Sequence, residues 1–397
     1  MGELSSDVHL TPSQKYGVLP QSEYMEITGN RVVQNLSGNT MQHVEAGDFI
    51  SHLRTFQGGL ELARTPGKVS PAYTVVTPRS PAHSEYYKYV LKSAGYISQI
   101  ASVTDQLRDG QSMRYSEFNH TWLPLPPLDE QQIIADYLDH ETAEIDALIH
   151  AQHQTLVLLA ERRRRVVDNH FPELMANSVA LKRLGKLQSG LTIGTRYEEP
   201  VQTYPYLRVA NVQAGHLDLS EIAEVSVPAE VASRTRLQAG DVLMTEGGDR
   251  DKLARGALWQ GPVDPMLHQN HVFAFRSGPL LDPQFLVYCL ESSRARTYFD
   301  ITARKSTNLA ATNSTIVKNF QIPRIPLGEQ RKVVRELQSE LAAMDKMATD
   351  ARLVNDLANE HRAAVISTAV TGQIDVRERR RGTSEAERLE SELARTQ

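Results

Sequence analysis

Five polar, glycine-containing or amide-rich stretches hold the side chains best suited to recognition chemistry. Ser51-His52-Leu53-Arg54-Thr55-Phe56-Gln57-Gly58-Gly59 and Arg108-Asp109-Gly110-Gln111-Ser112-Met113-Arg114 come early in the chain. Thr245 to Lys252, His268-Gln269-Asn270 and Arg304-Lys305-Ser306-Thr307-Asn308 come later. Their guanidinium, amide and hydroxyl groups are the donors and acceptors that read base edges and grip phosphates. The candidate contacts are Arg54, Gln57, Arg108, Gln111, Ser112 and Arg114, then Thr245, Arg250, Lys252, Gln269, Asn270, Lys305, Thr307 and Asn308. Singly, each stretch reads as ordinary polar surface. Their recurrence at equivalent places in two repeats points to DNA.

Catalytic patterns are missing from the chain. It has no Gly-x4-Gly-Lys-Ser/Thr phosphate loop and no Gly-x-Gly-x-x-Gly after a strand-like run. It has no Asp-Pro-Pro-Tyr or Asn-Pro-Pro-Phe run of the adenine-methyltransferase type. Glu246-Gly247-Gly248-Asp249-Arg250-Asp251-Lys252 superficially suggests a metal-dependent nuclease, but Asp251 abuts Lys252, so the spacing is wrong. His150 and His153 share a helix face without an evident third metal ligand, and His268 and His271 read as ordinary polar residues. No catalytic residue, metal or cofactor is expected.

The elements that must carry these stretches occur twice. Leu125-Pro126-Pro127-Leu128-Asp129-Glu130-Gln131 opens a run, 129–171, of 43 residues without Gly or Pro. About 199 residues later Ile325-Pro326-Leu327-Gly328-Glu329-Gln330 opens another of equal length, 329–371. Upstream of each lies an α+β segment with Ala-Gly-Asp before apolar residues: Ala46-Gly47-Asp48-Phe49-Ile50 and Ala239-Gly240-Asp241-Val242-Leu243. Each segment also has a helical patch, Glu85 to Ile100 and Pro283 to Phe299. A duplication of this kind sets the architecture.

Asp129 is expected to cap the first long helix, with Gln132 as its capping-box partner. Ile134, Leu138, Ile145, Leu148 or Ile149, Leu156, Leu159 and Val166 form its apolar stripe, which also takes in Glu141 and Gln152 and so is not a clean heptad seam; the second helix offers Val334, Leu337, Leu341 and Met344, then Ala348, Ala351, Leu357, His361 and Val365. Steps of three and four residues put each set on one face. The expected fold is α+β, an internal pseudo-repeat with two globular domains at opposite ends of an antiparallel pair of long helices. The domains are 1–128 and 172–328, the helices 129–171 and 329–373, and the charged tail 374–397 is expected to be disordered or loosely helical.

The net charge of −5 does not announce a nucleic-acid binder, although acidic helices can mask basic faces such as Arg162-Arg163-Arg164-Arg165. One cysteine, Cys289, excludes an internal disulfide framework and suits a reducing cytoplasm. No apolar run reaches the ~18–20 residues that span a bilayer. The N-terminus has neither the basic flank nor the apolar core of a signal peptide. The expected location is cytoplasmic.

Leu125-Pro126-Pro127-Leu128-Asp129-Glu130-Gln131, with Tyr137-Leu138-Asp139 and Ile145-Asp146-Ala147-Leu148-Ile149, resembles the central conserved region of specificity subunits of type I restriction–modification enzymes. Ile325-Pro326-Leu327-Gly328-Glu329-Gln330 and Ala369-Val370-Thr371-Gly372 are similar to its C-terminal counterpart. The stretch from Ser13-Gln14-Lys15-Tyr16-Gly17-Val18 to Arg108-Asp109-Gly110-Gln111-Ser112 resembles one variety of first target-recognition domain. The resemblance implies a non-catalytic subunit whose two target-recognition domains each read half of a split site in double-stranded DNA. It also implies two methylation subunits docked on the coiled coil, with restriction subunits supplying ATP use and cleavage. A coiled-coil scaffold that binds only proteins is the alternative. One departure from symmetry stands out: the first domain lacks an opening equivalent to Leu181–Tyr197.

Overall fold

The computed structural model describes residues 8–29, 31–32, 41–103, 113–171, 177–248, 253–305 and 310–377. The tail beyond Arg377 lies outside them. The chain divides into two compact units, Met1–His153 with Arg352–Gln397, and Gln154–Ala351. Both long helices, Leu128–Asn169 and Leu327–Val370, therefore contribute a half to each unit. Their extents fall within two residues of the runs without Gly or Pro.

The first helix begins one residue before the expected cap. Asp129 lies in its first turn, where negative charge suits the helix dipole, and Arg377 Nη2 is 3.5 Å from its carboxylate. The residue that organises the start is Gln131, which is fully buried. Its Oε1 accepts from the His83 amide at 2.8 Å, and its Nε2 donates to the carbonyls of Pro81 (3.0 Å) and Pro126 (2.8 Å). Gln330 repeats the arrangement 199 residues on. Its Oε1 accepts from the Asp282 amide at 2.8 Å, and its Nε2 donates to Leu280 and Ile325, both at 2.9 Å. One side-chain amide thus satisfies three backbone groups that burial would otherwise strand.

The turn before each Ala-Gly-Asp strand repeats as well. Asp48 Oδ2 accepts from the Glu45 amide and Asp241 Oδ2 from the Gln238 amide, both at 2.8 Å. Gly47 and Gly240 adopt left-handed conformations, φ +101° and +94°. Each helical patch is two helices rather than one: Ser84–Val90 and Ala94–Ser102, then Pro283–Glu291 and Ser293–Thr302. Ser93 and Ser292 break them, each hydroxyl accepting a helix amide three residues on at 3.3 Å.

The sheets are unequal. In the first unit Phe49–Ile50 lies between Glu61–Leu62 and Val75–Val76. In the second Asp241–Thr245 lies between Gly256–Leu258 and Val272–Ser277, and Gly185–Ser189 adds a fourth strand beyond the last. That strand comes from the opening segment the first unit lacks.

Within each unit the helix halves run antiparallel. Asp146 meets Arg362 at 3.1 Å in the first unit, and Asp129 meets Arg377. In the second, Arg163 pairs with Asp345, and His170 lies 3.4 Å from Glu340. Ile134, Leu138, Val365, Ile366 and Ala369 share the first core; Val167, Phe171, Val334, Leu337 and Leu341 share the second. The inner seam of the second helix follows steps of three and four through Leu337, Leu341, Met344, Ala348, Ala351, Asn355, Ala358, Arg362 and Val365, the spacing of a coiled coil. Ile145, Ile149, Gln152, Leu156, Leu159 and Arg163 continue it on the first helix.

Three stripe assignments are corrected. Leu148 is 43 % exposed and Leu357 54 %, and His361 is exposed too, because the seam's heptad period passes beside them. Replacing buried Leu138 by Asp is expected to cost at least ~3 kcal/mol in urea unfolding, whereas Leu148→Asp stays within about 0.5 kcal/mol. Equal losses would contradict the seam. Gln131→Leu, which strands one amide and two carbonyls, is expected to cost roughly 2–4 kcal/mol. An unchanged unfolding midpoint would refute the clamp.

Candidate nucleic-acid interface

In the first unit the strand Phe49–Ile50 delivers the chain into a loop that carries Arg54 and leads into the one-turn helix Thr55–Gly58, which carries Gln57; both side chains are exposed. The loop is fixed from beneath. Thr55 Oγ1 accepts from the His52 amide (2.7 Å) and donates to the His52 carbonyl (2.6 Å). His52 Nδ1 accepts from the Arg54 amide at 3.0 Å, which leaves its proton on Nε2. Gly59, at φ +75°, closes the loop so tightly that a Cβ would stand 1.9 Å from the Leu91 carbonyl. Below it Lys92 Nζ lies 2.6 Å from buried Glu61. Burial and the Lys92 charge hold the His52 imidazole down at about 4; burial pushes the Glu61 carboxyl up, against the pull of Lys92.

Arg114 is exposed at the start of the short helix Tyr115–Phe118 and beside the open polar hollow lined by Gln42, Tyr73 and Thr74. It is linked to the Arg54 loop at the base. Ser51 and Thr74 exchange two hydrogen bonds, 2.9 and 2.7 Å, and Thr74 Oγ1 donates to the Met113 carbonyl at 2.5 Å. Arg108, Gln111 and Ser112 lie outside the described residues.

In the second unit three of the sequence stretches converge. Gly247–Gly248 pairs with Ala310–Ala311, which pairs with Arg304–Lys305. The turn carrying Gln269 and Asn270 is pinned by its backbone: the Gln269 amide donates to Leu207 and the Asn270 amide to Leu191, both at 2.9 Å. Gly190 admits that contact, since a Cβ there would lie 2.1 Å from the His268 carbonyl. Gln269 and Asn270 are half-buried. Thr245 is corrected: it is 1 % exposed, because the strand runs one residue further than its loop assignment allowed. The next residue, Glu246, is partly exposed just past the buried layer and pairs with His271 at 2.8 Å. Sequence reasoning left Glu246 out of the candidate contacts and read His271 as an ordinary polar residue; their cross-strand register was the available signal. Arg250, Lys252, Thr307 and Asn308 lie outside the described residues. Among the described residues no three His, Cys, Asp or Glu side chains gather as a metal site requires, and no helix is long and apolar enough to cross a membrane.

His268 supports this face from within. Its Nδ1 donates to the Val272 carbonyl at 2.7 Å, and burial holds the ring's pKa down to about 4. The unfolded ring, near 6.5, takes a proton first as pH falls. Its contribution to stability is therefore complete above about pH 6.5 and is lost as pH falls toward about 4. His52 acts with the same sign. The chain is expected to unfold at lower urea at about pH 5 than at about pH 7.5, with a smaller difference in His268→Gln. An equal difference in both proteins would contradict this.

No family model matches the chain. It is 23 % identical over 324 residues to the specificity subunit of the type I restriction enzyme EcoKI of Escherichia coli K12, covering 76 % of this chain and 68 % of the relative. It is 22 % identical over 308 residues to the EcoBI specificity subunit of Escherichia coli, covering 70 % and 64 %. A 136-residue stretch, 34 % of this chain, is 24 % identical to a putative type I specificity subunit, MjaX, of Methanocaldococcus jannaschii and covers 32 % of it. The chain thus spans about two thirds of the Escherichia coli relatives and a third of the archaeal one. A solved chain from a study of type I restriction–modification assembly shares the fold, with a TM-score of 0.51 at 16 % identity, over 92 % of this chain and 91 % of that one. The chain is thus similar in sequence to specificity subunits of type I restriction enzymes and shares the fold of a chain from that kind of system.

Proposed function

We propose that this chain reads a two-part sequence in double-stranded DNA, one part with each unit, and does no chemistry itself. The observation that carries the reading is the repeat: one scaffold, closed by the same Gln and Asp hydrogen bonds, holds different polar loops at equivalent positions. A duplicated frame with divergent loops is suited to recognising two different half-sites. Arg54, Gln57 and Arg114 contact DNA from the first unit in this reading, and Gln269, Asn270 and Lys305 from the second. Arg108, Gln111, Ser112, Arg250, Lys252, Thr307 and Asn308 complete the two sets.

Two methylation subunits dock along the paired helices, and restriction subunits join them. Methyl transfer, ATP use and cleavage reside in those partners. Methylating an adenine requires the base to leave the stack, so the loops also hold DNA while a partner acts. The setting is the cytoplasm, which a lone buried thiol at Cys289 suits.

Co-expression with the methylation subunit encoded beside this chain, followed by mapping of modified adenines, tests the reading. A gapped motif that disappears without this chain is the expected result. Modification independent of the chain, or none from a soluble complex, would count against it and favour a protein-only scaffold. For the purified complex, log affinity is expected to fall linearly with log salt concentration. Arg54→Ala should weaken binding several-fold and make that slope shallower by about one. Unchanged affinity and slope would remove Arg54 from the interface.

A further inference from the structure

Glu246 is an acidic residue fixed beside the turn that carries the amides of Gln269 and Asn270. It follows Val242 and Met244 on one face of the strand Asp241–Thr245, just past the last buried layer. Its backbone is held on both sides. The Glu246 amide donates to the His271 carbonyl at 2.9 Å, extending the register of Thr245 with Val272. The Glu246 carbonyl accepts from the Thr312 amide at 2.8 Å. Its carboxylate is positioned too: Oε2 accepts from His271 Nδ1 at 2.8 Å, while Oε1 has no hydrogen bond to any described residue. The Glu246 side chain is 26 % exposed and that of His271 57 %.

A fixed carboxylate repels phosphate, so on a DNA-reading face its complement is a hydrogen-bond donor on a base edge. In the major groove, cytosine offers such a donor in its N4 amine. We infer that Glu246, oriented by His271, reads the N4 amine of a cytosine in the half-site of the second unit. Glu246 touches the base; His271 is a positioning residue. The inference rests on the DNA-reading function proposed above and deepens it. It is particular to the second unit, because counting from the equivalent aspartates, Asp48 and Asp241, puts exposed Leu53 at this position in the first.

The test uses the complex with the methylation subunit, once mapping has revealed the half-sites. Each cytosine of the second half-site is replaced in turn by 2-pyrimidinone, which lacks the amine, and affinities are measured for wild type and Glu246→Ala. At one position the missing amine should cost the wild type roughly 5- to 150-fold. In Glu246→Ala the same replacement should cost less than about twofold, since the partner is already gone. Equal costs in both proteins, no sensitive cytosine, or a second half-site without cytosine would overturn the inference while leaving the two-part reading intact. If Glu246→Ala does not fold, Glu246→Gln replaces it in the same cycle; being nearly isosteric it preserves the backbone bonds, and it should at least halve the cost. A complex that prefers no sequence would overturn both readings.

Discussion

A single buried amide at the start of each long helix governs the rest of this fold. Gln131 and Gln330 each tie the first turn of a long helix to two places: the segment entering the short helix pair, about 50 residues upstream, and the proline-flanked approach to the long helix itself. Those backbone groups have no other partner in a dry environment, and an unsatisfied buried group costs about 1–3 kcal/mol. Glutamine suits the position because one end accepts and the other donates twice. The long helix is thereby locked to the globular part of its unit at a fixed angle of departure. Everything that recognises DNA in our account hangs from strands whose packing depends on that lock.

Beyond the lock, the two units diverge where divergence is inexpensive. The Asp-capped turn and the serine-broken helix pair recur, but the loops after the central strand do not. In the first unit the loop sits on buried His52 and Glu61, with the exposed Lys92 paired to Glu61. In the second the same place is occupied by the paired backbone of Glu246 and a small three-stranded sheet. The extra edge strand Gly185–Ser189 also gives the second unit a turn, at Gly190 and Leu191, that props Gln269 and Asn270. A frame that recurs while its loops differ suits the two-part reading proposed above.

The long helices were legible in the sequence because Gly and Pro end them and nothing within them competes. The repeat was legible from its paired motifs, though the role of Gln131 and Gln330 was not: a glutamine in a first helical turn reads as solvated surface until the carbonyls it meets are known. The seam was misread where it turns polar. Leu357 and His361 drew the stripe away from Asn355 and Arg362, which occupy the true heptad positions, whereas polar Gln152 lies on the seam as its spacing indicates. Arg163 shows the same effect. Its run of four arginines reads as a basic face, yet Arg163 reaches inward to Glu291 at 2.8 Å and to Asp345. Thr245 was misplaced because sequence alone did not reveal where its strand ended. Side-chain chemistry pointed to recognition, while strand register decided which side chains face outward.

The most direct test of two-part reading is selection from random DNA by the complex of this chain with its methylation subunit, followed by sequencing of what is retained. The account predicts two fixed blocks separated by an unconstrained spacer of constant length. Exchanging the loops of one unit should change one block and leave the other intact. Enrichment of a single block, or of no sequence at all, would contradict it.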